Sequence, residues 1–481
     1  MASDPILSAM PAVELRQLIA SREVSSVELV SSCIAQIERF NPVLNAIVTL
    51  ADEAALDAAK QADSALARGD RVGPLHGLPI VIKDISETAG IRTTYASPLY
   101  RENVPDADCE AVSRLRKAGA IILGKTSTPE FAAGANTVNS VFGATRNPWN
   151  TELSPAGSSG GSAVAVASGM VPIGHGTDFG CSLRMPASFC GVVGLRTTPG
   201  LIPNAPMVAS WDPGQVHGPL ARTAEDAALM LDGMTGFDGT WPISIPAPWD
   251  SALDAMRRSG GPKGKKFAFA PDLAGIGVEP EIDRLCRSAA ALLSEAGGYV
   301  EECGFSVPEA IDIYRVLRAQ WMVEQQLDRL DQMDQMDQMD QVDQVDPNLA
   351  GNVKLGLGQS VLDLARAQHA RDVALKRFRE LFNVYDFLIT PTSPVEPFPV
   401  TQNFPTEIGG RKLASYTDWM APCFLITLVS LVSVSVPVGL SRSGLPVGLQ
   451  IVGPRLSEPA VLAIAAAIQE AAPIGIPPML G

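Results

Sequence analysis

The order of apolar and polar positions changes character several times along the chain. Apolar residues recur at helical spacing in 25–40 and 52–69, and the first of these stretches opens with a capping-box pattern, Ser25 to Glu28. Short apolar runs that predict buried strands follow at 78–85, 120–124, 191–195 and 266–270. Alternating strands and helices predict an α/β fold, with a central mixed, mostly parallel sheet covered by helices on both faces.

The longest uncharged run, residues 419–441, is long enough to span a bilayer. However, Pro422 and Pro437 interrupt it, and residues 431–438 alternate at strand period with β-branched side chains. We therefore expect a buried strand here and no membrane span. The first residues lack the cationic start and apolar stretch of a secretion signal, so we expect a cytoplasmic protein.

Charge adds one unusual segment. The formal net charge is −15, and much of the excess lies in the Asp-Gln tract, residues 331–346, which repeats with a period of three. That period drifts around a helix of 3.6 residues per turn, so we expect a solvated loop or an exposed helix. Without a basic stripe, the chain is not expected to bind nucleic acid. Seven cysteines without C-x-x-C spacing predict reduced thiols and no metal site.

Three short patterns match catalytic motifs weakly. Residues 119–126 match the phosphate-binding pattern G-x-x-x-x-G-K-[ST], but their apolar centre predicts a strand. Residues 157–161 match G-x-S-x-G around Ser159, a motif that needs a later histidine. His369 lies in a polar helical pattern, where a surface histidine is the ordinary case. Cys181 has no cation or base beside it, and such a thiol is usually inert.

Lys83 is a stronger candidate because it follows the apolar run 78–82. Burial lowers the pKa of a lysine and can leave a neutral amine that accepts a proton. A structural lysine paired with a carboxylate is the alternative, and the strand pattern alone leaves both interpretations open.

Longer segments resemble a known family. Residues 154–195 closely resemble the signature segment of the amidase signature family. Further segments resemble that family in the expected order, namely 77–84, 124–131, 143–150, 385–395 and 444–454. The resemblance runs over nearly the whole chain and implies the amidase signature fold, without a cofactor. Within that family the chain is similar to aryl acylamidases and to cyclic-dimer amide hydrolases.

The resemblance also implies roles for individual residues. Lys83 takes the place of the base, Ser158 that of the bridging serine in a cis peptide, and Ser182 that of the acylated serine. The resemblance implies an oxyanion hole formed by the backbone amides of Phe179, Gly180, Cys181 and Ser182. It also implies that Ala132 lines the substrate pocket. Cys181 departs from the family pattern, which usually has glycine before the nucleophile.

One domain over residues 1–481 is predicted on the same ground. Within it we expect a helical N-terminal region (1–70), a catalytic core (about 71–235 and 385–475) and a more variable region (about 240–385) that contains the Asp-Gln tract.

The predicted function is hydrolysis of a small carboxylic amide through an acyl-serine, by a monomer or homodimer. Arylamides, cyclic amides, carbamates and esters are all compatible with that chemistry. One alternative is the glutamine-hydrolysing subunit of a glutamyl-tRNA-type amidotransferase, which the acidic charge and Cys181 disfavour. An alternative of another class is a nucleotide-binding ATPase built on residues 119–126.

Overall fold

A computed structural model describes residues 6–336 and 345–480. Its strands are β1 (Ile47–Leu50), β2 (Pro79–Lys83), β3 (Ile121–Thr126), β4 (Val138–Asn139), β5 (Gly143–Ala144), β6 (Ile173–Asp178), β7 (Val193–Arg196), β8 (Val216–Ala221), β9 (Lys266–Phe269), β10 (Tyr299–Glu302), β11 (Phe387–Pro391), β12 (Glu407–Ile408), β13 (Arg411–Lys412), β14 (Val432–Leu440) and β15 (Pro446–Gly453).

The α-helices are α1 (Ala12–Ser21), α2 (Ser26–Leu44), α3 (Asp52–Arg68), α4 (Glu110–Lys117), α5 (Gly160–Ala167), α6 (Arg184–Cys190), α7 (Ala224–Met234), α8 (Ala252–Arg258), α9 (Pro280–Glu295), α10 (Ala310–Met336), α11 (Pro347–Leu357), α12 (Val361–Phe382), α13 (Ala421–Leu428) and α14 (Glu458–Ala471). Short 3-10 helices occur at Leu7–Ala9, Pro98–Tyr100, Glu130–Ala132, Asp418–Met420 and Pro478–Leu480.

The large sheet has eleven strands in the order β1-β3-β2-β6-β8-β7-β14-β15-β11-β9-β10. Parallel pairs form two groups, β3-β2-β6 and β11-β9-β10, and the strand pairs between these groups are antiparallel. The turn between β14 and β15 has only five residues, 441–445, and a parallel pair would need a much longer crossover. The α/β class and the mixed central sheet are confirmed, with a smaller parallel share than the sequence indicates.

Helices cover both faces of the sheet, as predicted. In β11, Leu388 belongs to a buried cluster with residues of α10, α12 and α13. Its neighbours Phe387 and Ile389 belong to a second cluster with residues of α7, α9 and α14. Since successive strand residues point to opposite faces, both faces of the sheet are buried.

Several local sequence signals correspond to elements of the structure. Ser25 and Glu28 form the predicted capping box at the start of α2, and Gly69 ends α3 in the left-handed conformation. The uncharged run 419–441 divides into the buried helix α13 and the buried strand β14. Within the described ranges, no helix has the length and apolar character to cross a bilayer.

The structure describes only part of the Asp-Gln tract. Residues 337–344 lie outside the described residues, so the expected solvated conformation stays a prediction. The division of the chain into one domain with three regions also stays a prediction.

Candidate active site

The predicted catalytic residues lie at one edge of the large sheet. Lys83 is the last residue of β2, and Ser182 lies in the turn between β6 and α6. Because β2 and β6 are parallel neighbours, their carboxyl ends meet at the same edge. Ser158 precedes α5, the helix that packs on both strands. The topology thus brings three distant segments of the chain together.

Lys83 is completely buried, and among the described residues its amine bonds only to hydroxyl groups. Its Nζ lies 2.6 Å from Ser158 Oγ and 3.0 Å from Thr177 Oγ1. Burial lowers the pKa of Lys83 to about 7, while the charge of Asp178 opposes that change. The amine is therefore available in its neutral form near neutral pH. In the described part of the chain Lys83 forms no salt bridge, which disfavours the alternative of a lysine paired with a carboxylate.

Ser158 follows a cis peptide bond from Gly157, as the resemblance implies. A Cβ at Gly157 would lie 3.1 Å from backbone atoms of Ala135 and Asn136, a tight contact that glycine avoids. The next residue, Ser159, donates its backbone N–H to the carbonyl of Ser182 at 3.1 Å. This bond joins the serine-containing loop to the turn that carries Ser182.

Ser182 is the most accessible of the three predicted catalytic residues. It has 9% of its surface exposed, whereas Lys83 and Ser158 have no exposed surface. The structure has no hydrogen bond between the Ser182 and Ser158 hydroxyls, both of which are described, so it contains the first link of the predicted relay and not the second. Hydrogen bonds of this kind often tighten only when substrate is bound.

The turn that precedes and includes Ser182 leaves its backbone donors unused. No hydrogen bond between described residues employs the N–H groups of 179–182. The turn is fixed from behind, because Asp178 Oδ2 accepts from the backbone N–H of Leu183 at 3.0 Å. Arg184 completes the frame by donating to the carbonyl of Gly180 at 2.7 Å and to Asp178 Oδ1 at 2.8 Å. Unpaired backbone N–H groups in a fixed turn are donors of the kind that an oxyanion hole uses.

The frame behind the turn is a buried ion cluster that sequence reasoning missed. Asp178, Arg184 and Arg196 are all fully buried. Burial alone would raise the pKa of Asp178, but the charges of the two arginines outweigh it and hold that pKa below its usual value. The sequence signal was the presence of charged residues inside an otherwise apolar and glycine-rich segment, and Thr177 gave no signal at all.

The Cys181 thiol contacts the peptide that joins Gly157 to Ser158. Its Sγ donates to the carbonyl oxygen of Gly157 across 3.6 Å, and burial raises the pKa of the thiol well above its usual value. The thiol therefore stays protonated, which agrees with its interpretation as inert. Gly180 beside it leaves room for α10, because a Cβ there would clash with the hydroxyl of Tyr314 unless one of them shifted.

The remaining motif matches lead elsewhere. Residues 121–126 form the buried strand β3, followed by the short 3-10 helix Glu130–Ala132, so residues 119–126 do not form a phosphate-binding loop. The Ser159 hydroxyl is buried and donates to the carbonyl of Thr177, and His369 is exposed on α12. Residues 119–126 therefore do not support the ATPase alternative, and the surroundings of Ser159 and His369 do not support a nucleophile elbow.

A cavity of about 180 Å³ lies next to the segment that follows Lys83, although Lys83, Ser158 and Ser182 are not among its wall residues. Its walls include Ile85 and Ser86, which follow Lys83 in the chain, together with His217 and the rings of Tyr95, Phe131 and Trp321. Ala132, which the resemblance places in the substrate pocket, is half-buried next to Phe131 but does not line this cavity.

Comparison with known proteins agrees with this geometry. A model of the Amidase family matches residues 28–462, and the chain belongs to that family. Over 479 residues it is 35% identical to a glutamyl-tRNA(Gln) amidotransferase subunit of Moorella thermoacetica, and the match covers 96% of both chains. The protein is therefore a hydrolase of carbon–nitrogen bonds other than peptide bonds.

Two solved structures are similar over almost the whole chain. The structure of a bacterial aryl acylamidase of the amidase signature family aligns with a TM-score of 0.89 at 28% identity, covering 96% of each chain. The corresponding glutamyl-tRNA(Gln) amidotransferase subunit from Thermotoga maritima aligns with a TM-score of 0.75, also at 28% identity, covering 98% of this chain and 96% of that one.

Proposed function

We propose that this protein hydrolyses a small, uncharged carboxylic amide through an acyl-serine intermediate. Ser182 is the nucleophile, Ser158 the bridge and Lys83 the base. The observation that carries the proposal is the 2.6 Å contact between Lys83 Nζ and Ser158 Oγ, made by a fully buried amine whose pKa burial lowers to about 7.

The proton moves along this contact in both directions. As Ser182 Oγ attacks the amide carbon, its proton passes to Ser158, and the Ser158 proton passes to Lys83. The negative oxygen of the tetrahedral intermediate lies against the N–H groups of 179–182, each effective donor being worth about 3 kcal/mol. Lys83 then returns a proton through Ser158 to the departing amine. Water then attacks the acyl carbon while the relay takes up its proton, and the relay returns a proton to Ser182 Oγ as the bond to the acyl group breaks and the acid leaves.

The adjoining cavity favours an aryl group in the substrate. Three aromatic rings line it, and no lysine or arginine is among the described residues of its wall. A free glutamine carries a carboxylate that calls for a cation, whereas an aromatic ring gains from stacking on other rings. The higher TM-score to the aryl acylamidase than to the amidotransferase subunit supports the same class.

Glutamine hydrolysis is the second candidate, because the 35% identity to the Moorella subunit extends over 96% of the chain. In that case the protein would supply ammonia to partner subunits. Cys181 in the oxyanion turn and the net charge of −15 weigh against it.

A substrate panel separates the two candidates. We expect hydrolysis of acetanilides and benzamides, and a kcat/KM for glutamine at least about a hundredfold lower, equal to about 2.7 kcal/mol in barrier height. A fluorophosphonate probe followed by peptide mapping should place the adduct on Ser182. Preferred turnover of glutamine would favour the amidotransferase role, and an adduct on Ser159 or Cys181 would overturn the assignment of the nucleophile.

A further inference from the structure

Two buried histidines form a pair close to Lys83. His175 Nε2 and His217 Nδ1 are 2.8 Å apart and join the neighbouring strands β6 and β8. His217 is directly opposite Thr177 in the strand register, and Thr177 Oγ1 is the second partner of Lys83 Nζ. The pair is thus one residue removed from the proposed base, and the described residues contain no hydrogen bond from either ring to Ser158 or Ser182.

Both imidazoles are neutral at physiological pH. Burial lowers the pKa of His175 well below its usual value. Burial, together with the charge of Lys83, lowers the pKa of His217 to about 4. Each ring therefore carries one N–H, and a single proton lies between the two rings.

The unpaired nitrogen of His175 decides which ring donates. His175 Nδ1 is buried, and no described residue is its hydrogen-bond partner. If His217 donated, His175 would carry its proton on Nδ1 as a buried donor without an acceptor among the described residues, and an unsatisfied buried donor costs free energy. If His175 donates through Nε2, its Nδ1 is only an unused acceptor, which is less costly. His217 Nδ1 is then the acceptor, and the proton of His217 is on Nε2.

That proton has no partner of its own. His217 lines the cavity of about 180 Å³ with only 4% of its surface exposed, and none of the described residues accepts a hydrogen bond from its Nε2. Around it, Tyr95 and Phe131 stack with ring centroids 5.7 Å apart. Trp321 also lines the cavity, and its indole N–H has no acceptor in the described chain. The cavity combines flat aromatic walls with an unsatisfied donor.

We propose that this cavity receives an aromatic ring of the substrate and that His217 Nε2–H donates a hydrogen bond to an acceptor on that ring, such as a nitro, carbonyl or ether oxygen. The inference rests on the proposed amide hydrolysis and narrows its substrate class. His217 determines specificity and takes no part in proton transfer.

The test compares substrates of similar size that differ in the acceptor. One pair, 4′-nitroacetanilide and 4′-isopropylacetanilide, carries the ring on the amine side, and a second pair, 4-nitrobenzamide and 4-isopropylbenzamide, carries it on the acyl side. The nitro-to-isopropyl ratio of kcat/KM is measured for the wild type, His217→Leu and His217→Gln. Electronic effects of the nitro group are the same for all three proteins, so they cancel when the ratios are compared.

We expect His217→Leu to lower the ratio about fivefold to tenfold for one substrate pair, the effect of one hydrogen bond between neutral groups. His217→Gln keeps an N–H donor and should retain most of the preference. Hydrolysis with the same ratio in all three proteins would overturn the inference and leave amide hydrolysis standing. If the wild type hydrolyses none of the four compounds, the proposed function fails and the inference fails with it.

A second measurement uses the wild-type protein and does not depend on whether a His217 variant folds. The chain has four histidines, so selective ¹⁵N-histidine labelling gives few signals. The ring nitrogens of the buried, hydrogen-bonded pair should show His217 protonated at Nε2, and addition of 4-nitrobenzamide should shift that signal. A wild-type protein with His217 protonated at Nδ1 would overturn the proposal.

Discussion

Two fully buried lysines, Lys83 and Lys125, lie on the neighbouring strands β2 and β3, and burial lowers the pKa of both, to about 7 and about 8. Their surroundings differ in the chemistry of the partners. Lys83 Nζ contacts two hydroxyls. Lys125 Nζ donates to the carbonyl of Ser86 and to the hydroxyls of Thr88 and Thr93, both at 2.8 Å.

The difference determines what each amine can do. A hydroxyl both donates and accepts, so it can bond to a neutral amine as well as to an ammonium ion. A carbonyl only accepts, and the Thr88 and Thr93 hydroxyls already donate their own protons to the carbonyls of Ser86 and Ile91. Lys125 is therefore surrounded by three acceptors, which hold all three protons of an ammonium ion. The charge of Asp84 also favours that charged form. Burial alone therefore does not make a base. We infer that Lys125 ties the segment after β2 to β3, whereas Lys83 is free to exchange its proton.

The largest expected effect comes from removing Lys83. Lys83→Ala deletes the proton acceptor and should lower kcat at least about a thousandfold, within the 10²–10⁴ range of acid–base catalysis. Lys83→Arg should be no better, because a guanidinium stays protonated. Turnover of an anilide and circular dichroism would be measured on both variants. A folded Lys83→Ala enzyme that retains a tenth of wild-type turnover would contradict the lysine relay.

The bridging serine gives the next largest effect. Ser158→Ala removes the 2.6 Å link to Lys83. Its kcat should therefore lie between the kcat of the wild type and that of Lys83→Ala. Because the two residues act as one relay, the double variant should be little worse than Lys83→Ala alone. Effects that multiply fully in the double variant would show that Ser158 and Lys83 act independently.

Sequence patterns predicted much of the fold and of the candidate site, but not the contrast between the two lysines. Apolar runs predicted β2, β3 and β14, and the capping box fixed the start of α2, because these signals depend on neighbours in the chain. The roles of Lys83, Ser158 and Ser182 came from the resemblance. Nothing in the sequence distinguished Lys125 or paired His175 with His217, since both depend on contacts between distant segments.

The pH profile gives a smaller and graded effect. The pKa of Lys83 lies below that of a free lysine, and the neutral amine is the active form. Turnover should therefore fall about tenfold per pH unit below about 7 and level off above it. Measuring kcat/KM from pH 5 to 10 tests this. A rise that continues to pH 10 would indicate a base whose pKa is unperturbed.

Lys125 should give the smallest effect on turnover and a clear effect on stability. In Lys125→Met the carbonyl of Ser86 and two hydroxyls lose their donor, which should lower the free energy of unfolding by about 1–3 kcal/mol. Per active site, titrated with a fluorophosphonate, kcat should change less than about threefold, a barrier change below about 0.7 kcal/mol. The pH profile should keep its apparent pKa.

Lys125→Arg serves as the matched control, because it keeps the positive charge and the donors but adds volume in a buried position. It should fold more stably than Lys125→Met if the donors matter, and less stably if packing dominates. The comparison of the two lysines depends on the outcome for turnover. If folded Lys125→Met lost turnover a hundredfold, the ammonium of Lys125 would have to act on the proton relay, and the separation of a structural lysine from a catalytic one would be wrong.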